Sequence, residues 1–122
     1  MLFRTLLFIP GNNKKFLEKS KFIHPDVLCF DLEDSVPFSE KSIGRDMVSQ
    51  TLQSYKNIQS LNRTKDNINN NNNTNNYVYP EKLPQLFVRI NSFESELYEQ
   101  DLESIICDPL DGIVIPKVNS ET

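Results

Sequence analysis

The sequence has little of what marks zinc-binding, nucleic-acid-binding or membrane proteins. It contains one histidine and two cysteines, Cys29 and Cys107, with no CxxC pair and no spacing suited to zinc. The net charge is -4, and no block of Lys or Arg offers a surface to nucleic acid. No apolar run is long enough to cross a bilayer. We therefore expect two reduced, packed thiols and neither a nucleic-acid nor a membrane partner.

Two further absences concern nucleotide binding and targeting. The sequence has neither GxGxxG nor GxxxxGK[ST], which argues against the dinucleotide-binding and P-loop classes. The apolar run over residues 1–9 is short and stops at Pro10-Gly11 without a small-residue cleavage site, and no Arg/Ser-rich leader precedes it. The expected compartment is the cytoplasm, and a mitochondrial location stays open.

What is present alternates between strand and helix patterns. Apolar runs predict strands at 5–9, within 26–36, at 86–91 and at 111–117. Apolar residues recurring at helical spacing predict helices at 14–22, 40–55 and 95–107. Ile43 and Ile106 are among the residues expected to face the core. Strands that alternate with helices indicate right-handed βαβ units and therefore an α/β fold with a parallel sheet.

One stretch breaks the alternation. Residues 57–84 are Asn-rich and of low complexity, with the run 67–76 almost entirely polar. Such a segment has nothing to bury, and a long surface loop adds little closure entropy. We predict a disordered insertion at 57–84 within a single domain that spans 1–122.

Chemically distinctive groups stand where the predicted strands end. Alternation places Asp31 and Glu33 on one face of their strand, and Arg89 lies inside an apolar strand where it needs a partner or an anionic ligand. Carboxyl ends of parallel strands meet at one edge, either as the rim of a TIM barrel or at the switch point of a doubly wound sheet. The strand-end groups are Pro10-Gly11, Asp31, Glu33, Asp34, Arg89, Asn91 and Lys117.

These residues also allow a purely structural interpretation. Acids after a strand are more often turn formers and caps than catalysts, and Arg89 would then pair with one of them in a structural ion pair. Residue types alone favour this structural interpretation. The longer motifs, taken in their order along the chain, favour a functional site instead.

Four strand-end motifs, taken in order, resemble one family. They are RTLLFIPGN at 4–12, DLEDSV at 31–36 followed by Glu40, Lys41 and Arg45, VRIN at 88–91, and GIVIPKV at 112–118. Together they look like the successive motifs of the citrate lyase beta-subunit-like family, in the HpcH/HpaI aldolase and citrate lyase superfamily. The resemblance spans nearly the whole chain outside the Asn-rich stretch.

The resemblance implies a magnesium-dependent TIM barrel that makes or breaks a carbon–carbon bond beside a CoA thioester. Arg89 matches the family's catalytic arginine, which binds substrate oxygens and can stabilise an enolate. Glu33 and Asp34 match acids that stand near the metal without ligating it directly. Lys14 and Lys15, at the start of the first helix, are expected to meet the CoA phosphates.

A TIM barrel needs eight strands and about 250 residues, so this chain corresponds to the N-terminal half of a (β/α)8 barrel. The family's principal Mg²⁺ ligands come from later strands and are not in this chain. The expected substrate is a 3-hydroxy-acyl-CoA such as citramalyl-CoA, malyl-CoA or citryl-CoA. The expected assembly is a homo-oligomer, with a second chain completing the half barrel where needed. The alternative is a truncated, inactive fragment or interaction module.

Overall fold

The computed structural model describes residues 3–65 and 83–116 and shows strands and helices alternating along the chain. All four strands are parallel and lie in the order β1-β2-β3-β4. The predicted α/β alternation is confirmed. No helix in these two ranges is long and apolar enough to cross a membrane. The elements are β1 (Leu6–Pro10), α1 (Lys14–Lys19), β2 (Val27–Asp31), α2 (Lys41–Lys65), β3 (Gln85–Arg89), α3 (Tyr98–Ile105) and β4 (Gly112–Val114), with 3-10 turns at Ser20–Phe22, Phe38–Glu40 and Phe93–Ser95.

The strand register aligns the carboxyl ends of the sheet. Pro10 pairs with Asp31, Asp31 pairs with Arg89, and Arg89 pairs with Val114. Each strand therefore brings its last residues to the same edge, where the following loops begin. This edge is the one at which parallel sheets place functional groups.

Alternate residues of the central strands divide the sheet into two faces. Leu28, Phe30 and Leu32 pack with Leu86 and Val88 in the core beneath the helices, as the alternation predicts. The opposite face, which we call the open face, carries the intervening side chains of each strand. Its members by register are Leu6, Phe8, Pro10, Val27, Cys29, Asp31, Gln85, Phe87, Arg89, Gly112 and Val114.

Helix α2 runs past the end that the sequence pattern predicts. It continues to Lys65 because Ile58, which is 4% exposed, extends the buried stripe of Leu52 and Tyr55 by one further turn. The predicted helix end at residue 55 is therefore too early, and residues 57–65 of the predicted insertion are helical. The run at 67–76 lies outside the described residues.

Two isoleucines predicted to face the core are exposed. Ile43 is 54% exposed because the buried stripe of α2, followed back from Val48, passes through Gly44 and Arg45 instead. Ile106 is 68% exposed, since the buried stripe of α3 runs through Asp101 and Ile105. A fully buried aspartate in that stripe is the least expected feature of the helical layer.

A close backbone approach explains Gly11, in the turn after β1. Its N–H donates to the Asp31 carbonyl at 2.8 Å. A Cβ at Gly11 would lie 2.6 Å from that same oxygen and 2.9 Å from Cγ2 of Val48. Only glycine lets this turn lie directly against the end of β2 and beneath α2.

Candidate functional site

The site centres on an ion pair between two neighbouring strand ends. Nε of Arg89 donates to Oδ1 of Asp31 at 2.9 Å, and Nη2 donates to Oδ2 at 2.8 Å. The side chains of Arg89 and Asp31 are 23% and 2% exposed. The register that sets Asp31 beside Arg89 produces this two-bond contact. Nη1 is the guanidinium nitrogen that takes no part in these two bonds.

The loop after β2 wraps around the Asp31 carboxylate. Its oxygens also accept hydrogen bonds from the backbone N–H groups of Glu33 and Ser35, at 2.9 and 3.0 Å, and from the Ser35 hydroxyl at 2.7 Å. Burial raises the pKa of Asp31, but the bonds from Arg89, Ser35 and the loop backbone lower it by more, to well below its usual range. Asp31 in turn raises the pKa of Arg89, so the pair stays ionised.

The guanidinium of Arg89 lies over an aromatic ring. Cζ of Arg89 stands 4.8 Å from the centre of the Phe8 ring, on β1. Asp31 therefore binds the Nε–Nη2 edge of the guanidinium, and the Phe8 ring lies within cation–π distance of its central carbon. Nothing in the sequence pattern predicts this contact, which joins two strands that are not neighbours in the sheet.

Glu33 and Asp34 lie together next to this pair. A hydrogen bond with Asp34, burial and the charge of Asp34 all raise the pKa of Glu33, and the nearby Arg89 charge acts against them. The structure thus brings Glu33, Asp34 and Arg89 to one edge, as the strand order predicts. Their assigned roles stay predictions. Across 3–65 and 83–116, no group of three or more His, Cys, Asp or Glu is arranged to hold a metal ion.

A lysine that the sequence analysis did not single out for a role anchors the acidic loop. Nζ of Lys41 donates to the carbonyls of Leu32 and Glu33, at 2.9 and 2.5 Å. Burial lowers the pKa of Lys41, while the charges of Glu33, Asp31 and other acids oppose that shift. The ammonium fixes the backbone from which Glu33 projects. The only signal for this role in the sequence is that Lys41 belongs to the second motif.

A second buried ion pair lies behind the site, between α2 and α3. Nε of Arg45 donates to Oδ1 of Asp101 at 3.0 Å. The backbone N–H and the side-chain amide of Asn91 donate to Oδ2 of Asp101 at 2.8 and 2.7 Å. Asp101 thereby fixes the chain just beyond Arg89. The strand pattern predicts Asn91 at this edge, whereas no signal in the sequence indicates Asp101.

The two lysines predicted to meet CoA phosphates are exposed on α1. Lys14 lines a shallow cavity of about 350 Å³ between α1 and α2, together with Leu17, Met47 and Thr51. This cavity lies in the helical layer, whereas Asp31 and Arg89 are on the open face. The structure therefore does not join Lys14 to the guanidinium cluster, and the phosphate role of Lys14 and Lys15 stays a prediction.

The depressed pKa of Asp31 makes a prediction about acid stability. A carboxyl whose folded pKa lies below its unfolded value stabilises the fold above the unfolded pKa, near pH 4, and loses that contribution as the pH falls through the folded value. Asp31→Asn should cost about 1–3 kcal/mol at neutral pH and make the acid-side slope shallower. Urea unfolding at several pH values between about 7 and 3 measures both effects.

Asp46→Asn, at an exposed position of α2, serves as the matched control and should leave the slope unchanged. An Asp31→Asn variant with the wild-type slope would show that the ion pair does not perturb this carboxyl.

Comparison with known proteins gives consistent matches. A family model described as HpcH/HpaI aldolase/citrate lyase matches residues 4–78. A (3S)-malyl-CoA thioesterase of Cereibacter sphaeroides is 32% identical over 120 residues, which cover 98% of this chain and 34% of that protein. Citrate lyase subunit beta of Escherichia coli is 32% identical over 120 residues, covering 96% and 31%. That of Haemophilus influenzae is 31% identical over 119 residues, covering 96% and 32%. The chain spans about a third of the length of these curated relatives.

Proposed function

This chain belongs to the HpcH/HpaI aldolase/citrate lyase family, and on that basis we propose that it supplies part of the site of a carbon–carbon lyase acting on a 3-hydroxy-acyl-CoA. The name citrate lyase subunit beta supports lyase chemistry, and the name (3S)-malyl-CoA thioesterase supports an acyl-CoA such as malyl-CoA as the substrate. Citramalyl-CoA, malyl-CoA and citryl-CoA are the candidate substrates.

The observation that carries the proposal is the clamped guanidinium of Arg89 at the carboxyl edge of the sheet. In the proposed cleavage, the 3-hydroxyl loses its proton and becomes a carbonyl as the bond between carbons 2 and 3 breaks. The electron pair moves to the thioester as an enolate, and protonation of carbon 2 gives acetyl-CoA. Arg89 is proposed to donate hydrogen bonds to a substrate carboxylate or to the enolate oxygen through the nitrogen outside the Asp31 pair.

Magnesium is part of the proposal. Glu33 and Asp34 form an adjacent carboxyl pair in which a hydrogen bond between them, burial and the charge of Asp34 raise the pKa of Glu33, and a nearby cation would favour the ionised form of both. Two carboxyls suit a hydrated Mg²⁺, which keeps several of its waters. Glu33 and Asp34 would hold those waters, with the direct ligands on strands beyond this chain. Bound magnesium would supply a Lewis acid that polarises substrate oxygens.

We further propose that the four-stranded sheet is the first half of a TIM barrel, which four more strands complete. Leu6 and Phe8, on the open face of β1, are 48% and 44% exposed, as expected for a face that further strands would cover. The missing strands can come from a longer product of the same gene or from a second chain. Within such a barrel, Lys14 and Lys15 are the proposed contacts for CoA phosphates, and the completed enzyme is proposed to be a homo-oligomer.

The second candidate is an inactive fragment or interaction module of the same family. The observation favouring it is the exposure of the apolar side chains of Leu6 and Phe8, which a binding partner would cover. Under this candidate, the chain binds a complementing half without supporting turnover.

A chimaera tests the first candidate against the second. This chain replaces the matching segment of Escherichia coli citrate lyase subunit beta, either fused to the remainder or expressed beside it. The carbonyl products of malyl-CoA, citramalyl-CoA and citryl-CoA are measured by mass spectrometry, with Mg²⁺ or with EDTA. We expect carbon–carbon cleavage of at least one of these acyl-CoA substrates, lost in EDTA. A folded chimaera without turnover, beside an active parent enzyme, would favour the inactive module.

A further inference from the structure

We propose that Phe8 is a positioning residue for Arg89, holding the guanidinium in one orientation so that its free donors face the substrate. Phe8 lies within the first strand-end motif, but none of the roles proposed above belongs to it. Its kinetic consequence rests on the proposed lyase function, whereas its structural consequence does not.

The strand geometry explains why one ring reaches this guanidinium. Phe8 pairs in register with Cys29, and Arg89 pairs with Asp31, two residues further along β2. The Arg89 side chain therefore leans across the open face of β2 to reach Phe8 on β1. Asp31 stands on the strand between them and meets the guanidinium on the way.

Asp31 and Phe8 restrict different motions of the guanidinium. Two hydrogen bonds to one carboxylate fix the in-plane direction of the group, but they leave its plane free to tilt about the carboxylate. A ring at 4.8 Å opposes that tilt, because the attraction is strongest when the cation lies over the ring face. The two contacts together define one orientation, which preorganises the nitrogen outside the Asp31 pair.

The exposure of Phe8 separates this role from core packing. Its side chain is 44% exposed and it is not part of the buried core cluster. Phe3 is equally exposed at 44%, but its ring packs edge-on against Phe87, with the ring centres 6.4 Å apart. Phe3→Leu is therefore a matched control that removes a similarly exposed ring without touching Arg89.

The first test observes Arg89 directly. In the full 122-residue chain, the Nε–Hε NMR resonance of Arg89 is assigned by its disappearance in Arg89→Lys. Phe8→Leu should move this resonance, through loss of the ring current, and speed its exchange with water about two- to fivefold. Phe8→Tyr should restore the wild-type behaviour, and Phe3→Leu should leave it unchanged. An unmoved resonance in Phe8→Leu, or an equal change in Phe3→Leu, would overturn the proposal.

The second test measures turnover in the chimaera. Phe8→Leu should lower kcat/KM about two- to fivefold, while in an Arg89→Lys background the same change should have no further effect. Equal losses in both backgrounds would show that Phe8 acts independently of Arg89. If Phe8→Leu changes the Arg89 resonance but the chimaera shows no turnover, the positioning role is supported and the lyase proposal is rejected. If the chimaera turns over substrate but Phe8→Leu leaves the resonance unchanged, the lyase proposal is supported and the positioning role is rejected.

Discussion

Replacing Arg89 with lysine in the chimaera is expected to lower the rate of carbon–carbon cleavage by about 10²–10³-fold. Lysine keeps the positive charge beside Asp31, but an ammonium cannot give two parallel hydrogen bonds to that carboxylate and also present fixed donors to a second anion. The ring of Phe8 would likewise lose the planar group on which it lies. The change therefore removes preorganised donors while leaving the local charge intact.

Steady-state kinetics distinguish the two proposed roles of Arg89, which are transition-state stabilisation and substrate binding. A fall in kcat with little change in KM indicates donors used in the transition state, whereas a rise in KM alone indicates ground-state binding. Arg4→Lys, at an exposed position before β1, is the matched control and should retain the wild-type rate. Wild-type turnover in a folded Arg89→Lys chimaera would remove Arg89 from the chemistry.

The convergence of Arg89 with acids was predictable because it depends on topology alone. Parallel strands in sequence order bring their carboxyl ends to one edge, so Arg89 had to arrive near the acids that follow β2. The identity of its partner was not predictable. A register difference of one or two residues decides whether Asp31 or Glu33 faces the guanidinium, and that register is set by how the two strands pack.

Contacts between distant residues set a second limit on prediction. Asp101 lies in an acidic stretch that resembles the solvated face of a helix, yet its side chain is buried. Its partners are Arg45, 56 residues earlier in the chain, and Asn91, which lies just beyond the end of β3. Only the packing of α2 against α3 reveals that these groups meet. The sequence pattern likewise predicted too short an α2, because the surrounding polar residues conceal that Ile58 continues the buried stripe of the helix.

Asp101→Ala is expected to lower the free energy of unfolding by about 3–5 kcal/mol, the range for breaking a buried ion pair. The substitution leaves the Arg45 guanidinium and two Asn91 donors without their acceptor. Nη2 of Arg45 is already buried without a hydrogen-bond partner among the described residues, so the guanidinium has little else to compensate it. Urea unfolding of the variant and the wild-type chain measures the difference.

The matched control is Asp108→Ala, which removes an aspartate from an exposed pair. Lys56 and Asp108 stand 3.4 Å apart with side chains 46% and 82% exposed, and such pairs contribute about 0–1 kcal/mol. Equal losses in the two variants would show that burial of Asp101 adds nothing to its contribution.

Removing both charges separates the cost of an unpaired ion from the value of the pair itself. In Arg45→Met with Asp101→Leu, no buried charge is left alone, and apolar replacement of a buried pair is often neutral or stabilising. The double variant should therefore be more stable than Asp101→Ala, although the Asn91 donors still lack an acceptor. In the chimaera, the same variant should bind the acyl-CoA substrate less tightly and cleave its carbon–carbon bond more slowly, because Asn91 is no longer tied to α3 beside Arg89. Full activity with restored stability would show that the cluster serves folding alone.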